Sequence, residues 1–504
     1  MSKPLLCVVV TAATTAELRQ RRDAVADADL IELRLDTVSD PDAAGALAGR
    51  RLPVIVTCRP TWEGGAFAGS EEARKQLLAE ALTAGAEYVD IEARAGFDDL
   101  IAATSGKRIV LSSHDFNGLP NDLERRVRTM QATGAEVVKV AVTATRLSDC
   151  VTLRDIAART GDRDGLVLIG MGEHGAVTRV LPSRFRSRWS YAGLLAGVGQ
   201  LTPETLLTAL RFRDLGPATS LYGIVGSPVS HSVSPAMHNA AFRAAGVDAV
   251  YLPLPAADVE DFMTFARAFG IKGASVTIPH KVAMFTCLDE TSEVAKKIGA
   301  INTVRIDSER WEGDNTDAYG FLEPLADQLP LTKTRAALLG AGGAARGVAI
   351  ALDSCGADVT VHARSPRRAA EVAALVSGSV GAFPPPPGSW DLLVNCTPVG
   401  MYPHVDETPL PAGSLAPGLV YDLVYNPRAT RLLREAAAAG CRTIGGLEML
   451  VGQARKQFEW WTGIRPSGTV MRDAAIEKLK QFNGDMADGV GLMAEMPGAI
   501  SHVP

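Results

Sequence analysis

The sequence lacks the features that mark secreted, metal-binding or nucleic-acid-binding proteins. Its 504 residues contain 7 cysteines, none paired in a Cys-x-x-Cys spacing, which argues against a disulfide framework or a cysteine zinc site. This usage predicts a reduced chain in the cytoplasm. Lys+Arg number 51 and Asp+Glu 57, so the net charge of −6 offers no attraction to nucleic acid. The 8 histidines show no ligand spacing, and we expect no bound metal.

Long apolar runs are also lacking. The longest uncharged stretch, residues 372–390, is interrupted by four consecutive prolines, so we expect no membrane span and no membrane partner. The apolar run near the N-terminus, LLCVVV, has no signal-peptide cleavage pattern beside it and is typical of a first strand. With 47% hydrophobic and 21% charged residues, the chain has the composition of a globular protein. Its length predicts about three domains.

The first part of the chain, to about residue 213, alternates short β-branched runs with stretches of helical periodicity. Alternation of this kind predicts a parallel sheet, and eight repeats predict an α/β fold of the closed (β/α)8 type, a TIM barrel. The expected strands are residues 5–10, 30–36, 53–59, 88–93, 108–115, 137–142, 165–172 and 189–193.

Charged side chains recur on one face of several of these strands. Glu32 and Arg34 alternate with apolar residues in LIELRLD, and Lys139 is the one polar residue in VVKVAV. Charges on the interior face of a barrel are costly unless they form a site. In YVDIEA, Asp90 and Glu92 share a face. The alternative is the solvated face of an open antiparallel sheet, but three separate strands would each have to repeat it.

A second series of β–α units begins near residue 220, and a glycine-rich loop marks one of them. In ALLGAGGAARG, Gly340, Gly342 and Gly343 directly follow a strand, as in loops that bring a helix N-terminus to a pyrophosphate. A structural turn is the alternative interpretation. The next strand ends at Arg364, before two further arginines, which favours the 2′-phosphate of NADP over the ribose of NAD. A solvated helix start would also explain these arginines.

Eight motifs in the second half carry a family resemblance. In order they are SPVSHSVSP, GASVTIPHK, IGAINTV, GDNTDAYG, GAGGAARG, VNCTPVGM, VYDLVYNP and GGLEMLVGQA. Together they resemble shikimate dehydrogenase. The resemblance implies a substrate-binding domain at 220–325, a Rossmann NADP-binding domain at 326–445, and helices at 446–480 that pack back on the substrate domain. Residues 481–504 lack periodicity and are expected to form a mobile tail.

The same resemblance implies residue roles. Lys281 and Asp317 would be the catalytic pair, which suits hydride reduction of a ketone because a proton donor must meet the developing charge on oxygen. In isolation, Lys281 could be a surface lysine, and Asp317 could be a helix N-cap. The implied substrate contacts are Ser232, Ser234, Thr277, Asn302 and Gln453. The implied cofactor contacts are Gly340, Gly342, Gly343, Ala344, Arg364, Arg368, Thr397 and Gly446.

The first half resembles type I 3-dehydroquinate dehydratase, a (β/α)8 enzyme. The resemblance rests on ELRLD, TCRPTWEGG, DIE, SSHDF, VVKVAV and TRV. It covers roughly residues 5–213 and implies a barrel domain at 1–215. It implies that Lys139 forms a Schiff base, that His114 is the acid/base, and that Glu63 supports the histidine. The implied substrate contacts are Glu32, Arg34, Arg59, Arg179 and Gln200.

The dehydratase chemistry asks for these residue types. A lysine that attacks a ketone must be neutral, and only a small fraction of ordinary lysines are neutral at pH 7. We expect burial among Val137, Val138 and Val140, together with cationic neighbours, to favour the neutral amine of Lys139. The arginines suit a substrate that bears a carboxylate.

Two positions depart from the family patterns. Ala196, in AGVGQ, occupies the place of a substrate-binding serine, although Gln200 is retained. Ala363 replaces an asparagine that often precedes the cofactor-binding arginine. We expect the first to weaken or alter loop closure and the second to weaken adenosine-ribose contacts without changing the preference for NADP.

The two resemblances together imply a shikimate-pathway chain with both activities. It would convert 3-dehydroquinate to 3-dehydroshikimate and then reduce that product to shikimate with NADPH. One alternative is a quinate or shikimate oxidoreductase that works in the catabolic direction with NAD, against which Arg364 argues. Another is a non-catalytic regulator built on the same domains. Retention of His114, Lys139, Lys281 and Asp317 argues against that.

Overall fold

The computed structural model describes residues 5–161, 165–307, 310–411 and 413–487. The chain forms two compact units. The first runs to Ser230 and also takes in Asp248–Ile271, and the second comprises His231–Val247 and the chain from Lys272 onward.

Eight parallel strands form a nearly closed barrel in the first unit. They pair in the order β7-β6-β5-β4-β3-β2-β1-β8, and the backbone N–H of Arg188 donates to the carbonyl of Leu166 at 2.8 Å between the two end strands. The predicted barrel and its eight strands are confirmed. The strands are β1 Leu5–Val10, β2 Leu30–Arg34, β3 Val54–Thr57, β4 Tyr88–Glu92, β5 Ile109–Asp115, β6 Val137–Thr143, β7 Leu166–Met171 and β8 Trp189–Ala192.

Helices follow most of the barrel strands, and local sequence sets where they begin. The side chains of Thr14 and Ser70 each accept a hydrogen bond from a backbone N–H of the following helix, as N-cap residues do. The helices are α1 Thr15–Ala24, α2 Ala43–Leu47, α3 Glu71–Thr83, α4 Asp98–Ala103, α5 Leu123–Ala132, α6 Leu147–Thr160 and α7 Ala176–Val180.

The barrel interior has an apolar layer, with charges placed nearer the C-terminal ends of the strands. Cys7, Val110, Val137 and Trp189 are buried together in the apolar layer. Lys139, two residues further along β6 than Val137, is only 4% exposed. The strand charges therefore point into a parallel barrel, and the solvated antiparallel sheet is excluded.

Twelve further strands follow in the described residues. The strand β9 pairs with β10 in parallel, β13 pairs in antiparallel fashion with β11 and β14, and the last six form a parallel sheet in the order β17-β16-β15-β18-β19-β20. The strands are β9 Ser220–Gly226, β10 Ala249–Pro255, β11 Ile271–Val276, β12 Glu290–Thr291, β13 Thr303–Asp307, β14 Arg310–Asp314, β15 Arg335–Leu339, β16 Asp358–His362, β17 Ser379–Val380, β18 Leu392–Asn395, β19 Leu419–Asp422 and β20 Arg442–Gly445.

The remaining helices are α8 Ser234–Ala245, α9 Val259–Phe269, α10 Lys281–Phe285, α11 Glu293–Ile298, α12 Asp317–Leu322, α13 Gly343–Ser354, α14 Pro366–Ala373, α15 Arg431–Ala438, α16 Gly446–Thr462 and α17 Gly468–Ala487. The order β15-α13-β16 gives the expected Rossmann-type arrangement, with the strand order reversing beside β15. The tail was expected from residue 481, whereas α17 continues to Ala487. Residues 488–504 of that expected tail lie outside the described residues.

Within the first unit, α9 packs against the barrel helix α6. The buried carboxylate of Asp261 accepts hydrogen bonds from the backbone N–H of Leu147 at 3.1 Å and of Ser148 at 2.9 Å. These N–H groups belong to the first turn of α6, where helix donors have no partner within the helix. Arg184 donates to the carbonyl of Phe269 at 2.7 Å, at the end of α9. Residues beyond the expected boundary near 220 thus contribute to the first unit.

Replacement of Asp261 by Ala should destabilise the first unit by about 1–3 kcal/mol, because it leaves two helix N–H groups buried without acceptors. Burial raises the pKa of Asp261, but the N–H donors outweigh it and hold the pKa below its ordinary value. The added stability is therefore present at neutral pH and is lost as pH falls through the lowered pKa. Urea unfolding at pH 7 and at acid pH measures both effects.

The matched control is Asp155→Asn, which removes an exposed carboxylate from α6 and should change the free energy of unfolding by no more than about 0.5 kcal/mol. Equal losses in the two variants would contradict the capping role of Asp261.

Candidate active sites

The first candidate site is a cavity at the C-terminal ends of the barrel strands. All eight residues predicted for this site line it, which is the placement that a TIM-barrel enzyme requires. They are Glu32, Arg34, Arg59, Glu63, His114, Lys139, Arg179 and Gln200.

Lys139 is held between two carboxylates. Its Nζ lies 3.2 Å from Oε2 of Glu32 and 3.0 Å from Oδ2 of Asp90, and 4.3 Å from the ring centre of Tyr191. Both carboxylates and the aromatic face stabilise an ammonium. The expectation that cationic neighbours favour the neutral amine is therefore wrong for the nearest contacts, since the groups that touch the nitrogen are anionic or aromatic.

The carboxylates near Lys139 are themselves paired. Arg59 contacts Glu92 at 2.9 Å and Asp90 at 3.1 Å, and Ser112 donates to Asp90 at 2.5 Å. Burial alone would raise the pKa of Asp90, but the charges of Arg59 and Lys139 hold it well below its ordinary range. The result is a buried cluster of alternating charges, in which Arg59 is already engaged by two acids.

Arg34 is also engaged by an acid. Its Nε and Nη2 donate to the two carboxylate oxygens of Asp36 at 2.8 and 2.7 Å. This bidentate pair fixes the guanidinium at the cavity wall.

Arg179 differs from the other cavity arginines. Its Nη2 donates to the carbonyl of Val198 at 3.0 Å, and its buried Nε has no partner. Burial lowers its pKa to about 10. Within the described residues no carboxylate pairs with it. An uncompensated buried cation is costly, and an anionic ligand group would supply the missing partner.

His114 and Glu63 form an oriented pair. Glu63 Oε1 accepts from the backbone N–H of His114 at 2.9 Å and lies 3.1 Å from its Nδ1. Burial raises the pKa of Glu63 to about 7. Burial, aided by the charges of Arg59 and Lys139, puts the pKa of His114 well below its ordinary value, so the imidazole is neutral. With Nδ1 facing Glu63, Nε2 is placed to take a proton.

Gln200 closes the cavity from the loop after β8. Its Oε1 accepts from the backbone N–H of Leu195 at 3.1 Å, so the side chain braces its own loop. Ala196 lies in a short 3-10 turn, Ala196–Val198, of the same loop. Its effect on substrate binding stays a prediction.

The second candidate site is built around an ion pair in the second unit. Nζ of Lys281, the first residue of α10, lies 2.6 Å from Oδ2 of Asp317, the first residue of α12. Nδ2 of Asn302 donates to the other carboxylate oxygen of Asp317 at 2.8 Å. The two residues predicted to act together are thus in contact, and a predicted substrate residue touches one of them.

Backbone contacts bring two further predicted residues to this region. The N–H of Val276, one residue before Thr277, donates to the carbonyl of Asn302 at 2.7 Å. A Cβ on Gly320 of α12 would lie 2.5 Å from the backbone nitrogen of Gln453, so glycine permits α12 and α16 to approach closely.

The two predicted serines stand at the start of α8. The backbone N–H of Ser234 donates to Oγ of Ser232 at 3.2 Å, and Ser234 is buried. Their contact with substrate stays a prediction.

The glycine loop after β15 fits a dinucleotide. Gly340 has φ +106°, and a Cβ there would lie 2.8 Å from Thr397 Cγ2. Gly342 and Gly343 have open space where a Cβ would stand, and α13 begins at Gly343 without a capping side chain. Its first N–H groups can therefore meet a pyrophosphate, and the exposed Ala344 leaves the approach clear.

The arginines after β16 lie beside this loop in the sheet, because β16 pairs with β15. Arg364 and Arg368 are exposed, and in the described ranges neither has an acidic partner, whereas Arg367 pairs with Glu371 at 3.1 Å. The two unpaired arginines suit a 2′-phosphate.

The last two predicted cofactor residues occupy constrained positions. Oγ1 of Thr397 donates to Oδ1 of Asn395 at 2.7 Å, in the loop that follows β18. Gly446 begins α16, and a Cβ there would lie 2.2 Å from the carbonyl oxygen of Leu423. Only glycine fits at that position.

Several residues that contact the predicted site residues of the barrel were not themselves predicted from the sequence. Asp90 and Glu92 stand out as charges in a strand, but nothing in the sequence shows that they reach Lys139 and Arg59. Ser112 and Tyr191 carry no signal beyond their alternation in β5 and β8.

Comparison with known families matches both halves of the chain. The family model for type I 3-dehydroquinase matches residues 6–217. The models for the shikimate dehydrogenase substrate binding domain and the shikimate 5'-dehydrogenase C-terminal domain match residues 224–304 and 446–476.

One curated relative combines the two halves. The chloroplastic bifunctional 3-dehydroquinate dehydratase/shikimate dehydrogenase of Arabidopsis thaliana is 36% identical over 476 residues, covering 87% of this chain and 78% of the relative. The chain belongs to this bifunctional family. The NADP(+) shikimate dehydrogenase of Symbiobacterium thermophilum is 43% identical and covers 54% of this chain and 99% of its own length.

A solved structure agrees with the second half of this bifunctional chain. A crystal structure of a shikimate dehydrogenase in complex with NADP+ is 36% identical, with a TM-score of 0.50, and covers 53% of this chain and 97% of that one. None of the described helices is long and apolar enough to cross a membrane.

Ionisation of Glu63 beside His114 should set the acid limb of the dehydratase pH profile, the range in which kcat rises with pH. Because the pKa of Glu63 is raised to about 7, its carboxylate forms as pH rises through that value, and kcat should rise with it. Glu63→Gln should lower kcat by about 10²-fold and remove this limb. The formation of 3-dehydroshikimate, followed by absorbance from pH 5 to 9, measures both.

Glu72→Gln provides the matched control, since Glu72 is an exposed residue of α3. Its profile should match the wild type. Persistence of the limb near pH 7 in Glu63→Gln would assign that titration to another group.

Proposed function

We propose that the barrel dehydrates 3-dehydroquinate through a Schiff base on Lys139, and that the second unit reduces the product at Lys281 and Asp317. The chain is a bifunctional enzyme of its family, a lyase and an NADP-dependent oxidoreductase of the shikimate pathway. The two reactions are consecutive, because the product of the first is the substrate of the second.

The observation that best supports the barrel assignment is that Arg179, which has no carboxylate partner among the described residues, lines the same cavity as Lys139. A substrate carboxylate pairs with Arg179, which places the ketone near the amine. Glu32 and Asp90 hold the nitrogen as an ammonium, which loses a proton before it attacks, and that proton later leaves with the ketone oxygen as water.

Proton movement in the barrel belongs to His114. Attack of the amine on the ketone, with loss of water, forms an iminium that draws electrons and acidifies the adjacent C–H. The neutral imidazole takes that proton at Nε2, and Glu63 stabilises the cation that results. His114 then returns the proton to the departing hydroxyl, and water releases 3-dehydroshikimate and restores Lys139.

In the second unit, the ammonium of Lys281 gives a proton to the ketone oxygen of 3-dehydroshikimate as it is reduced. Bound NADPH supplies the hydride. Asp317, at 2.6 Å, orients the ammonium and stabilises its charge. Ser232, Ser234, Thr277, Asn302 and Gln453 are assigned to shikimate binding. Gly340, Gly342, Gly343, Ala344, Arg364, Arg368, Thr397 and Gly446 are assigned to cofactor binding.

Two alternatives are less well supported. An NAD-dependent oxidoreductase for quinate would not need Arg364 and Arg368, which stand unpaired after β16 within the described chain. A regulator without catalysis would not need Lys139 and Lys281 in contact with carboxylates.

The domain limits remain part of the proposal: a dehydratase barrel at 1–215, a substrate-binding domain at 220–325, a cofactor domain at 326–445 and C-terminal helices at 446–480. The matched ranges of the family models support them. The scattered cysteines support a reducing compartment, and we assign the enzyme to the cytoplasm.

Two single substitutions separate the activities. Lys139→Ala should abolish NADPH oxidation that starts from 3-dehydroquinate, while oxidation that starts from 3-dehydroshikimate persists. Lys281→Ala should abolish both but leave conversion of 3-dehydroquinate to 3-dehydroshikimate intact. NADPH absorbance and the absorbance of the conjugated enone follow the two steps. No NADPH oxidation by the wild type from either substrate would contradict the proposal.

The cofactor assignment predicts a selective loss. Arg364→Ala should raise KM for NADPH about tenfold or more, since it removes charge-assisted hydrogen bonds to the 2′-phosphate, and should leave KM for NADH unchanged. Arg367→Ala is the control, because Arg367 already pairs with Glu371 and should change neither value. Equal effects on both cofactors would assign Arg364 to structure rather than to phosphate recognition.

A further inference from the structure

One buried amide lies behind the shikimate-binding residues of the second unit. Gln457, on α16, is 1% exposed. Its Oε1 accepts a hydrogen bond from Ser275 Oγ at 2.6 Å, and its Nε2 donates to the backbone carbonyl of Asn302 at 3.1 Å. A carboxamide can accept and donate at once, which neither a carboxylate nor an apolar side chain can do.

The groups that meet at Gln457 each belong to a segment that carries a predicted substrate contact. Gln453 precedes Gln457 by one helical turn on the same face of α16. Thr277 follows Ser275 by two residues at the end of β11. Asn302 is itself a predicted contact. The amide therefore joins three segments at a point directly next to the residues assigned to the substrate.

A fourth segment packs against α16 at the residues that follow this amide. His238 follows Ser234 by one turn on α8, and its ring packs against Phe458 and Trp461 with centroids 6.4 and 5.2 Å away. Burial lowers the pKa of His238 to about 3, so the imidazole is neutral and packs on α16 as an aromatic ring.

The amide also connects to the catalytic pair. The backbone of Asn302 is held by Gln457, and its side chain donates to Asp317 at 2.8 Å and to Thr316 at 3.0 Å. A shift of the Asn302 backbone would move the side chain that orients Asp317. Preorganised sites depend on such supporting hydrogen bonds, because small displacements of binding groups reduce affinity and rate.

We propose that Gln457 is a positioning residue for shikimate. It fixes the end of β11, the Asn302 loop and α16 relative to one another, beside α8, so that their polar side chains converge on the ring hydroxyls of the substrate. The inference rests on the proposed shikimate dehydrogenase function and adds a residue that itself does not touch the substrate. The cofactor loop after β15 is not among the segments that it joins.

The test is Gln457→Met in the full-length chain, since methionine preserves volume but cannot form these hydrogen bonds. We expect KM for shikimate to rise about tenfold, the effect of losing buried hydrogen bonds. KM for NADP+ should stay within about twofold. The dehydratase activity of the same chain is the internal control and should not change.

Ser275 supplies a second, milder pair of variants. Ser275→Ala removes one hydrogen bond to Gln457 and should raise KM for shikimate in the same direction, whereas Ser275→Thr keeps the hydroxyl and should restore the wild-type value. This pair tests the proposal even if Gln457→Met fails to fold.

Two results would overturn the inference. One is a KM for shikimate unchanged in Ser275→Ala and in any folded Gln457→Met. The other is an equal rise in KM for shikimate and for NADP+, which would indicate a general loss of structure. A wild-type chain that does not oxidise shikimate with NADP+ would instead overturn the proposed function, and the positioning role with it.

Discussion

The barrel depends on keeping buried charges of opposite sign in contact. Glu32, Asp90 and Lys139 project from β2, β4 and β6, and Arg59 from the residues after β3, into an interior where an unpaired charge is costly. Each charge is tolerated because the register of the parallel strands sets it beside an opposite one. The charge that remains without a carboxylate among the described residues is Arg179, and this imbalance defines the substrate as an anion. The same cluster holds the amine ready beside a neutral His114.

The second unit organises its chemistry with neutral groups. Its proposed catalytic ion pair, Lys281 and Asp317, is partly exposed; the amide of Asn302 donates to Asp317, and the amide of Gln457 holds the backbone of Asn302. Amides orient a charge without adding one, which suits a site that must also admit a charged cofactor. The overall charge of −6 would repel the anionic substrates and NADPH, so local cations such as Arg179 and Arg364 must attract them.

The strands, and which polar residues would lie together at each candidate site, could be predicted from sequence, because charges such as Lys139 interrupt otherwise apolar runs and the motifs around Lys281 have fixed spacing. The partners of those residues could not, since contacts between strands depend on register. Cationic neighbours were expected for Lys139, but carboxylates lie there. Both Arg59 and Arg179 were expected to bind the substrate carboxylate, yet Arg59 already pairs with Asp90 and Glu92. The amide of Gln457 carries no sequence signal, because a glutamine on a helix is usually exposed.

The central claim is that Lys139 is the covalent centre of the barrel, and trapping tests it most directly. The enzyme is treated with 3-dehydroquinate and sodium borohydride, digested and analysed by mass spectrometry, with Lys139→Ala and an incubation without substrate as controls. The account predicts one stable adduct, on the peptide that contains Lys139, absent from both controls. An adduct on another lysine, or none despite dehydratase turnover, would contradict it.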